Sequence, residues 1–254
     1  MSTLDGKAIV ITGGAGGIGE ATARQAHAEG ARVVITDREA GRVEEIANEL
    51  GERAIGLAVD VTSREDNRRM VAAAVKAFDR LDAAFLNAGI EGEVGPFESR
   101  TDDAWNKVLA VNLHGVRYGI EAALPALRKA GGGSIVITSS VAGVRGAAGL
   151  TPYVTSKHAV IGMMRCLAAE LGPEGIRVNT LNPGPVDNRM MRSIEDQASP
   201  GHGDEVRKMF TSRVPLGRYV TNDECAAMAV LLLSDAASGL TGNTYLVDGG
   251  YCAQ

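Results

Sequence analysis

The sequence is poor in cysteine, and its few cysteines stand far apart. Cys166, Cys225 and Cys252 form no C-x-x-C pair, and the four histidines are equally dispersed. Zinc sites need such residues at short, regular spacings, so this pattern predicts no metal site. Free thiols are typical of a reducing compartment, which predicts a cytoplasmic protein.

Aromatic residues and an excess of basic charge are also lacking. Aromatics make up 4% of the chain, and 26 lysines and arginines face 31 acidic residues, for a net charge of −5. Neither sign forms a long run, and the aromatics do not alternate with basic residues. Nucleic-acid-binding surfaces usually show one or both of these features. The composition therefore predicts no nucleic-acid partner.

Long apolar runs are absent as well. The longest, residues 226–233, is far below the ~18 residues that a membrane-spanning helix needs. The N-terminal residues lead directly into an apolar strand, which leaves no room for a signal peptide. We therefore expect a soluble protein without a membrane association.

The chain does contain a regular alternation of short apolar runs with amphipathic helical stretches. Helices are predicted at residues 39–50, 101–129 and 152–171, and Ser63 is placed to begin another, with acidic residues in its first turn. Apolar runs that predict strands occur at residues 8–11, 32–36, 54–59, 83–86, 134–138, 177–181 and 244–247. Because these runs are apolar throughout, both faces of their sheet must be covered. The pattern predicts an α/β fold, Rossmann-like and doubly wound, with about seven parallel strands.

One segment departs from this alternation of strands and helices. No linker rich in proline, glycine or serine divides the chain, so residues 1–254 are expected to form a single domain. Residues 187–215, however, mix methionines with polar residues in no clear strand or helix pattern. Ligands of open α/β sheets bind beyond the carboxyl ends of the strands, so an irregular insert after a strand is well placed to form a substrate lid. An ordinary surface excursion is the alternative.

A cluster of glycines follows the first predicted strand and precedes the first helix. Gly14, Gly16 and Gly19 match G-x-G-x-x-G, whereas Gly13, Gly17 and Gly19 match T-G-x-x-x-G-x-G. Glycines let the backbone approach a pyrophosphate, and free N–H groups at a helix N-terminus favour its charge. The cluster predicts a dinucleotide site with cofactor contacts at Gly13, Gly16, Gly17, Ile18 and Gly19.

The end of the second predicted strand indicates which nucleotide is bound. Asp37 stands about 20 residues beyond the glycine loop, where a carboxylate binds the ribose 2′-OH of NAD. A 2′-phosphate would meet like charge there, although the neighbouring Arg38 could fold over one. No basic residue lies in the glycine loop, so NAD is favoured over NADP. Asp60 and Val61 could contact the adenine, or Asp60 could simply end its strand.

A tyrosine and a lysine carry the predicted chemistry. Tyr153 and Lys157 lie four residues apart in a predicted helix, so they share a face. A tyrosine with an ordinary pKa near ~10 is a poor base at neutral pH, but a neighbouring cation favours the phenolate. Ser140, thirteen residues before Tyr153, could hold a substrate oxygen against the phenol. The alternative is a chance pairing on a solvated helix.

Together these motifs resemble the short-chain dehydrogenase/reductase family over nearly the whole chain. Besides the glycine loop, Ser140 and Tyr153-x-x-x-Lys157, the matching residues are Asn87-Ala88-Gly89, Asn112 and Asn182-Pro183-Gly184. The strings at residues 87–92 and 139–146 are similar to those of levodione-reductase-like cyclic ketone and alcohol oxidoreductases. The resemblance implies hydride transfer between NAD and a secondary alcohol or ketone.

The resemblance also implies a role for each catalytic residue. Ser140, rather than Ser139, would hold the substrate oxygen, and Tyr153 would be the general acid–base. Lys157 would lower the pKa of Tyr153 and bind the nicotinamide ribose. Asn112 would interrupt its helix and hold a water that passes protons from Lys157 to solvent, with a helix-surface amide as the alternative.

Further cofactor contacts are implied at the ends of the fourth and sixth strands, namely at Asn87, Ala88, Gly89, Pro183, Gly184, Val186 and Asn188. Thr12 and Asn87 are expected mainly to tie strand ends together. Many relatives carry a threonine five residues after the proline to bind the nicotinamide carboxamide, and here Asn188 stands in that place. Val186 is expected to meet the carboxamide through its backbone.

The substrate is a small molecule held in an apolar pocket. Its walls are expected from residues 90–96, 141–150 and 187–210. The charged residues among them, Glu91, Glu93 and Arg145, could select a polar substrate or simply face water.

The resemblance further implies a homotetramer. Related proteins assemble through the apolar surface of the helices that correspond here to those beginning at Thr101 and Pro152. The run from Asp248 to Tyr251 resembles a segment that often lies at a subunit interface.

Other functions fit parts of this pattern. A 3-oxoacyl-[acyl-carrier-protein] reductase using NADPH is the main alternative, and Arg128, Lys129 and Arg165 could meet its acidic carrier. Asp37 and the modest acidity of the chain count against it. A nucleotide-sensing regulator usually lacks the tyrosine or the lysine, and a sugar epimerase of related fold is usually longer.

Overall fold

Seven strands form one parallel sheet in the computed structural model, which describes residues 4–253. In chain order they are β1 Ala8–Thr12, β2 Arg32–Asp37, β3 Ala54–Ala58, β4 Ala83–Leu86, β5 Gly133–Thr138, β6 Ile176–Pro183 and β7 Thr244–Val247. Their order in the sheet is β3-β2-β1-β4-β5-β6-β7, and every neighbouring pair is parallel. The predicted doubly wound, Rossmann-like α/β fold is therefore confirmed.

Helices cover both faces of the sheet. They are α1 Gly17–Ala28, α2 Ala40–Leu50, α3 Arg64–Phe78, α4 Asp102–Leu109, α5 Val116–Lys129, α6 Thr151–Leu171, α7 Arg189–Ala198, α8 Gly203–Ser212 and α9 Asn222–Leu233. Ser63 caps α3 as predicted, because its side chain accepts a hydrogen bond from the backbone N–H of Asp66. Among residues 4–253, no helix combines the length and apolarity needed to cross a bilayer.

Successive side chains of each strand point to opposite faces of the sheet, so the hydrophobic core has two parts, one on each face. In β1, Ile9 and Ile11 belong to the cluster packed by α1, α2 and α9, whereas Ala8 and Val10 belong to the cluster packed by α3, α5 and α6. Every residue of β1 is buried for this reason. This arrangement explains why the predicted strands read as continuous apolar runs.

The helix predicted at residues 101–129 is interrupted in its middle. A π-helical segment, Ala110–Gly115, separates α4 from α5. Such segments break the regular i→i−4 hydrogen-bond ladder and frequently occur at functional sites. The buried Asn112 lies inside this segment, as the resemblance implied.

The segment at residues 187–215 is helical, so the prediction of an irregular insert was wrong. It forms α7 and α8, and the Asn188 side chain caps α7 by accepting a hydrogen bond from the Met191 N–H at 3.1 Å. The apolar residues of α7 recur at helical spacing, with Met190, Met191 and Ile194 lining the large cleft described below. The short apolar run and the many polar neighbours concealed this amphipathic pattern.

Candidate active site

The loops at the carboxyl ends of the strands surround one cleft of about 540 Å³. The chain leaves β1 in one direction towards β2 and later returns to β4 on the other side, so the cleft lies at a topological switch point. The predicted residues that line it are Gly13, Gly16, Gly17, Ile18, Asp37, Arg38, Asp60, Val61, Asn87, Ala88, Gly89, Ser140, Tyr153, Lys157, Pro183, Gly184, Val186 and Asn188. Gly19 and Asn112 lie behind its surface.

The glycine loop adopts a conformation that few other residues would tolerate. Gly13 has a φ of +67°, and a Cβ on it would lie 2.9 Å from the Ala88 Cα. A Cβ on Gly17 would lie 2.4 Å from the Asn222 side chain, whereas one on Gly16 would come no closer than 3.4 Å to its neighbours. Gly14 is crowded too, since a Cβ there would lie 2.4 Å from the Ile35 Cγ2, so the contrast between Gly17 and Gly16 is what favours the Gly13, Gly17 and Gly19 register. No side chain caps the N-terminus of α1, which leaves its first N–H groups suited to a phosphate.

Gly19 has a packing role rather than a place on the cleft surface. A Cβ there would lie 2.1 Å from the Gly13 carbonyl oxygen and 2.8 Å from its carbon, both of which are backbone atoms. The absence of a side chain at Gly19 therefore lets α1 press directly against the loop that it supports.

We expect Gly19→Ala to lower the free energy of unfolding by about 2–3 kcal/mol, because neither backbone can move away cheaply. Chemical denaturation would measure the loss. Gly41→Ala is the matched control, since Gly41 also lies in a helix and an added Cβ meets nothing within 4 Å. The control should be neutral or slightly stabilising. Equal stability of the two variants would contradict the packing role.

Asp37 holds its carboxylate against the glycine loop. Its Oδ2 accepts a hydrogen bond from the Ala15 N–H at 3.2 Å, and its Oδ1 accepts one from the Arg38 N–H at 2.7 Å. The Arg38 side chain is 75% exposed and lies 4.0 Å from the Asp60 carboxylate. Asp60 in turn accepts hydrogen bonds from the N–H and hydroxyl of Thr62, so it closes the turn after β3. Asp37 is thus the carboxylate fixed beside the predicted phosphate loop.

Thr12 and Asn87 tie the ends of three strands together, as expected. The Thr12 hydroxyl accepts hydrogen bonds from the N–H groups of Asn87 and Ala88, at 3.0 and 3.1 Å. The Asn87 amide donates to the Gly13 carbonyl at 3.2 Å and accepts from the Thr138 hydroxyl at 3.0 Å. These bonds join β1, β4 and β5 at the floor of the cleft.

Tyr153 and Lys157 share the cleft-facing side of the first turns of α6. The Lys157 Nζ lies 5.5 Å from the centre of the Tyr153 ring and donates to the Thr138 carbonyl at 2.8 Å. The two neighbouring serines differ: the Ser139 hydroxyl donates to the Lys157 carbonyl at 2.9 Å, whereas the Ser140 hydroxyl accepts from the Ala142 N–H at 3.1 Å and lies 3.5 Å from the Pro183 carbonyl. The Ser139 proton is therefore committed to the α6 backbone at 2.9 Å, whereas the Ser140 hydroxyl has a longer donor contact and also bonds with the Tyr153 phenol.

Burial controls the ionisation of both catalytic candidates. It lowers the pKa of Lys157 from 10.5 to about 8. It also raises the pKa of Tyr153, with the negative charge of Glu91 adding to the rise and a hydrogen bond with Ser140 opposing it. The expected lowering of the Tyr153 pKa by Lys157 is not found in this structure, where burial of the phenol is the largest influence on that pKa.

Asn112 uses its side chain for protein contacts. Its Oδ1 accepts from the Ile90 N–H and its Nδ2 donates to the Ile90 carbonyl, both at 2.9 Å, and Nδ2 also lies 3.1 Å from the Ser156 hydroxyl. Ser156 donates to the Tyr153 carbonyl at 2.7 Å. The amide thus links the loop after β4 to α6, so a relay water at this position would need a backbone partner instead.

The wall nearest Tyr153 is apolar. Ala142 and Leu150 pack with the tyrosine in one small buried cluster, and Val94, Ala147 and Ile194 pack against it. Each of the three segments predicted to wall the pocket contributes at least one of these residues. The surroundings of the phenol therefore suit a hydrocarbon skeleton.

The three charged candidates of the pocket have different environments. Glu91 is buried and lies 3.8 Å from the exposed Arg189 guanidinium of α7, whereas Glu93 is exposed beside Arg100. Arg145 lies over the Tyr251 ring at 4.7 Å and donates to the Tyr251 carbonyl at 2.9 Å.

Tyr251 is a cleft residue that sequence reasoning missed. The resemblance assigned the run from Asp248 to Tyr251, which includes it, to a subunit interface. No local signal marks its place, because only folding brings the C-terminal segment against the loop after β5.

The described residues form no candidate metal site. No group of three or more His, Cys, Asp or Glu side chains within residues 4–253 is arranged to hold a metal ion. Cys166, Cys225 and Cys252 are free.

Comparisons with known proteins give full-length matches. A family model described as enoyl-(acyl carrier protein) reductase matches residues 13–252. A cyclohexanol dehydrogenase from Acinetobacter sp. (strain SE19) is 35% identical over 254 residues, which cover 99% of this chain and 97% of the relative. The chain is therefore similar to an alcohol dehydrogenase along its whole length.

Two crystal structures share the fold closely. One is levodione reductase, with a TM-score of 0.95 and 34% identity, covering 98% of this chain and 99% of that one. The other is a 3-ketoacyl-(acyl-carrier-protein) reductase from Brucella melitensis complexed with NADH, with a TM-score of 0.91, 31% identity and the same coverage. The predicted similarity to levodione reductase is confirmed.

Proposed function

The chain belongs to the short-chain dehydrogenase/reductase family, and from this premise we propose that it is an NAD-dependent oxidoreductase for cyclic secondary alcohols and the corresponding ketones. The observation that carries the proposal is the meeting of Ser140, Tyr153 and Lys157 beside the glycine loop in one cleft. The apolar wall around Tyr153 favours a compact hydrocarbon substrate over a charged one. Relatives named for cyclohexanol and levodione support the same substrate class.

The residues of the cleft fit a dinucleotide. Gly13 lets the loop turn with a positive φ, the uncapped start of α1 offers N–H groups to a pyrophosphate, and Asp37 offers a carboxylate to a ribose hydroxyl. When bound, the nicotinamide supplies or accepts the hydride. Lys157, Val186 and Asn188 line the same cleft and are proposed to hold its nicotinamide half.

The catalytic roles follow from the positions of the hydroxyl groups. Ser140 orients the substrate oxygen towards Tyr153, which donates a proton to it during reduction and removes one during oxidation. The raised pKa of Tyr153 keeps the phenol protonated at neutral pH, which suits ketone reduction. Lys157 places its cation next to the ring, and Asn112 supports both residues by fixing the start of α6.

The direct test of this function is absorbance at the NADH band. Purified protein is mixed with NAD⁺ and a panel of secondary alcohols, with cyclohexanol and a cyclic diol as first probes and a primary alcohol as a control. Turnover of the cyclic alcohols supports the proposal. Absence of turnover for every secondary alcohol and ketone, with either cofactor, would refute it.

The preference for NAD depends on Asp37. We expect Asp37→Ala to narrow the ratio of kcat/KM for NAD⁺ over NADP⁺ by about tenfold or more, since a hydrogen bond to a charged group is lost and a like charge is removed. Steady-state kinetics with both cofactors measures the ratio. Glu44→Ala removes the same charge from the exposed side of α2 and should leave the ratio unchanged. A wild-type protein that favours NADP⁺ would show that Arg38 outweighs Asp37.

Reduction of an acyl thioester by NADPH is the second candidate, favoured by the similarity to the Brucella reductase. Of the basic residues that could bind an acidic carrier, Arg128 is already paired with Glu174 at 2.5 Å. Lys129 and Arg165 are exposed. Assays with acetoacetyl-thioester and each cofactor would separate the two functions.

We also propose that the protein acts as a cytoplasmic homotetramer. The three free cysteines agree with a reducing compartment. Phe97, 66% exposed, meets the Trp105 ring of α4 edge to face, which leaves apolar surface beside one of the helices expected at the interface. Sedimentation of a monomer at micromolar concentration would refute the tetramer.

A further inference from the structure

The lid helix α7 carries a buried carboxylate that the proposed chemistry does not use. Glu195 is fully buried, whereas most carboxylates of α7 and α8 are exposed. Its Oε1 accepts a hydrogen bond from the Tyr219 hydroxyl at 2.8 Å, and its Oε2 accepts one from Arg192 at 3.1 Å. Buried carboxylates are rare unless such partners satisfy them. Glu195 is therefore held in its buried position by Tyr219 and Arg192.

The partner of Glu195 belongs to the rigid frame of the cleft. Tyr219 is 5% exposed and precedes Val220, which pairs with Val186 just after β6. The N–H of Val220 donates to the Pro185 carbonyl at 3.1 Å, and the N–H of Asp187 donates to the Val220 carbonyl at 2.9 Å. The Glu195–Tyr219 hydrogen bond thus joins the lid to backbone that continues the sheet.

The second helix of the proposed lid, α8, also contacts Tyr219. The Arg207 guanidinium of α8 lies 4.6 Å from the centre of the Tyr219 ring, and it donates to the Asp187 carboxylate at 2.8 Å. Burial and the neighbouring Glu195 raise the pKa of Tyr219, so its hydroxyl remains a donor throughout the working pH range. The tyrosine is consequently held by α7, α8 and the strand-end backbone together.

The residue next to Glu195 forms part of the substrate wall. Ile194 packs against the cluster of Ala142, Leu150 and Tyr153, and it lines the cleft. Neighbouring side chains on a helix are separated by roughly 100°. Holding Glu195 therefore sets the direction in which Ile194 faces the reacting oxygen.

The opposite edge of α7 is held more weakly. Gln197 accepts from the Val94 N–H at 3.1 Å and lies 3.4 Å from the Gly92 carbonyl, and these contacts are exposed. Exposed hydrogen bonds compete with water, whereas the Glu195 contact does not. The asymmetry predicts that α7 opens along the Gln197 edge and stays attached at Glu195.

We propose that Glu195 is a positioning residue, anchored by Tyr219, that holds α7 and its apolar face over the substrate. The proposal rests on the function proposed above. Its effect is on substrate binding and not on the chemical step, because Glu195 contacts neither Tyr153 nor the cofactor loop.

Kinetics of Glu195→Gln and Tyr219→Phe test the anchor. Each variant is expected to raise KM for cyclohexanol about tenfold while kcat changes less than about twofold, since Tyr219→Phe removes the hydrogen bond and Glu195→Gln removes the charge that strengthens it, both far from the reacting atoms. The double variant should be no worse than the poorer single variant, because both changes act on one interaction. Glu205→Gln, an exposed carboxylate on α8, is the control and should leave KM unchanged.

Hydrogen exchange in the enzyme without substrate gives a readout that needs no turnover. Amides of α7 should exchange at least about tenfold faster in both variants, while those of β1 and β5 keep their wild-type rates. Unchanged KM in both single variants, or unchanged exchange of α7, would overturn the anchor. If the wild-type protein oxidises no secondary alcohol, the proposed function fails, and the exchange measurement alone still decides whether Glu195 fixes the lid.

Discussion

Tyr153→Phe is expected to lower kcat for cyclohexanol oxidation by about 10²- to 10⁴-fold, the range typical of losing a general acid–base. Only the hydroxyl is removed, and the ring keeps its packing against Ala142 and Leu150. Binding of NADH, measured by fluorescence, should therefore change less than about twofold, since the proposed cofactor contacts of the glycine loop and Asp37 are untouched.

The control for this variant is Tyr245→Phe. Tyr245 belongs to β7, which pairs with β6 at the edge of the sheet, and it does not line the cleft. Removal of its hydroxyl should leave kcat within about twofold of wild type. If Tyr153→Phe retained more than about a tenth of the wild-type rate, Tyr153 would not be the proton-transfer group. If Tyr153→Phe lost thermal stability along with its activity, the tyrosine would have a structural role instead.

Lys157→Met is expected to lower kcat/KM by about 100-fold or more and yet stabilise the fold at neutral pH. The lost activity follows from removing the cation beside the phenol and a proposed ribose ligand. The gain in folding stability follows from the burial of the lysine, which is 3% exposed and whose pKa is lowered from 10.5 to about 8. A shift of that size corresponds to about 3 kcal/mol of destabilisation of the charged form.

Part of this gain is offset, because the variant leaves the Thr138 carbonyl without its donor. That loss is about 1–3 kcal/mol. We therefore expect a net stabilisation of about 1 kcal/mol, measured by urea denaturation at pH 7. Lys76→Met, an exposed lysine on α3, is the control and should change stability by less than about 0.5 kcal/mol.

The stability gained by Lys157→Met should depend on pH, because the buried lysine loses its charge as the pH rises. Below about pH 8 the lysine is charged in the folded and the unfolded protein, so the burial penalty is complete. Between about 8 and 10.5 the folded protein releases its proton before the unfolded chain does, and wild-type stability rises. The advantage of Lys157→Met should therefore shrink as the pH is raised from 7 to 9.5. An advantage that grew with pH would show that the folded protein binds this proton more tightly than the unfolded chain does, so that the pKa of Lys157 is raised and not lowered.

The outline of the fold and most of the cleft were legible in the sequence, because they depend on local patterns. Continuous apolar runs predicted the strands, since a strand with both faces covered leaves no polar alternation. Residues that follow parallel strands must meet at one edge of the sheet, so the sequence predicts that Asp37, Asn87 and Ser140 share one cleft. The helical spacing of Tyr153 and Lys157 likewise needed no tertiary information.

Other features depended on which distant surfaces meet. Helices α7 and α9 show no clear amphipathic pattern in the sequence, α7 because polar neighbours interrupt its short apolar run and α9 because six of its twelve residues are buried. The sequence of the loop allows two glycine registers, and only the folded contacts distinguish them, because a Cβ is excluded at Gly17 by Asn222 and has room at Gly16.

The local order of the residues decided that this chain is a doubly wound α/β protein with a glycine loop, a carboxylate at the end of β2 and a tyrosine–lysine pair. Packing decided that Tyr251 lies in the cleft, that burial raises the pKa of Tyr153, and that Glu195 of α7 meets Tyr219. The physical reason is the same throughout: hydrogen-bonding periodicity acts over a few residues and is written in the sequence. Desolvation and long-range contact arise only when separate segments are brought together.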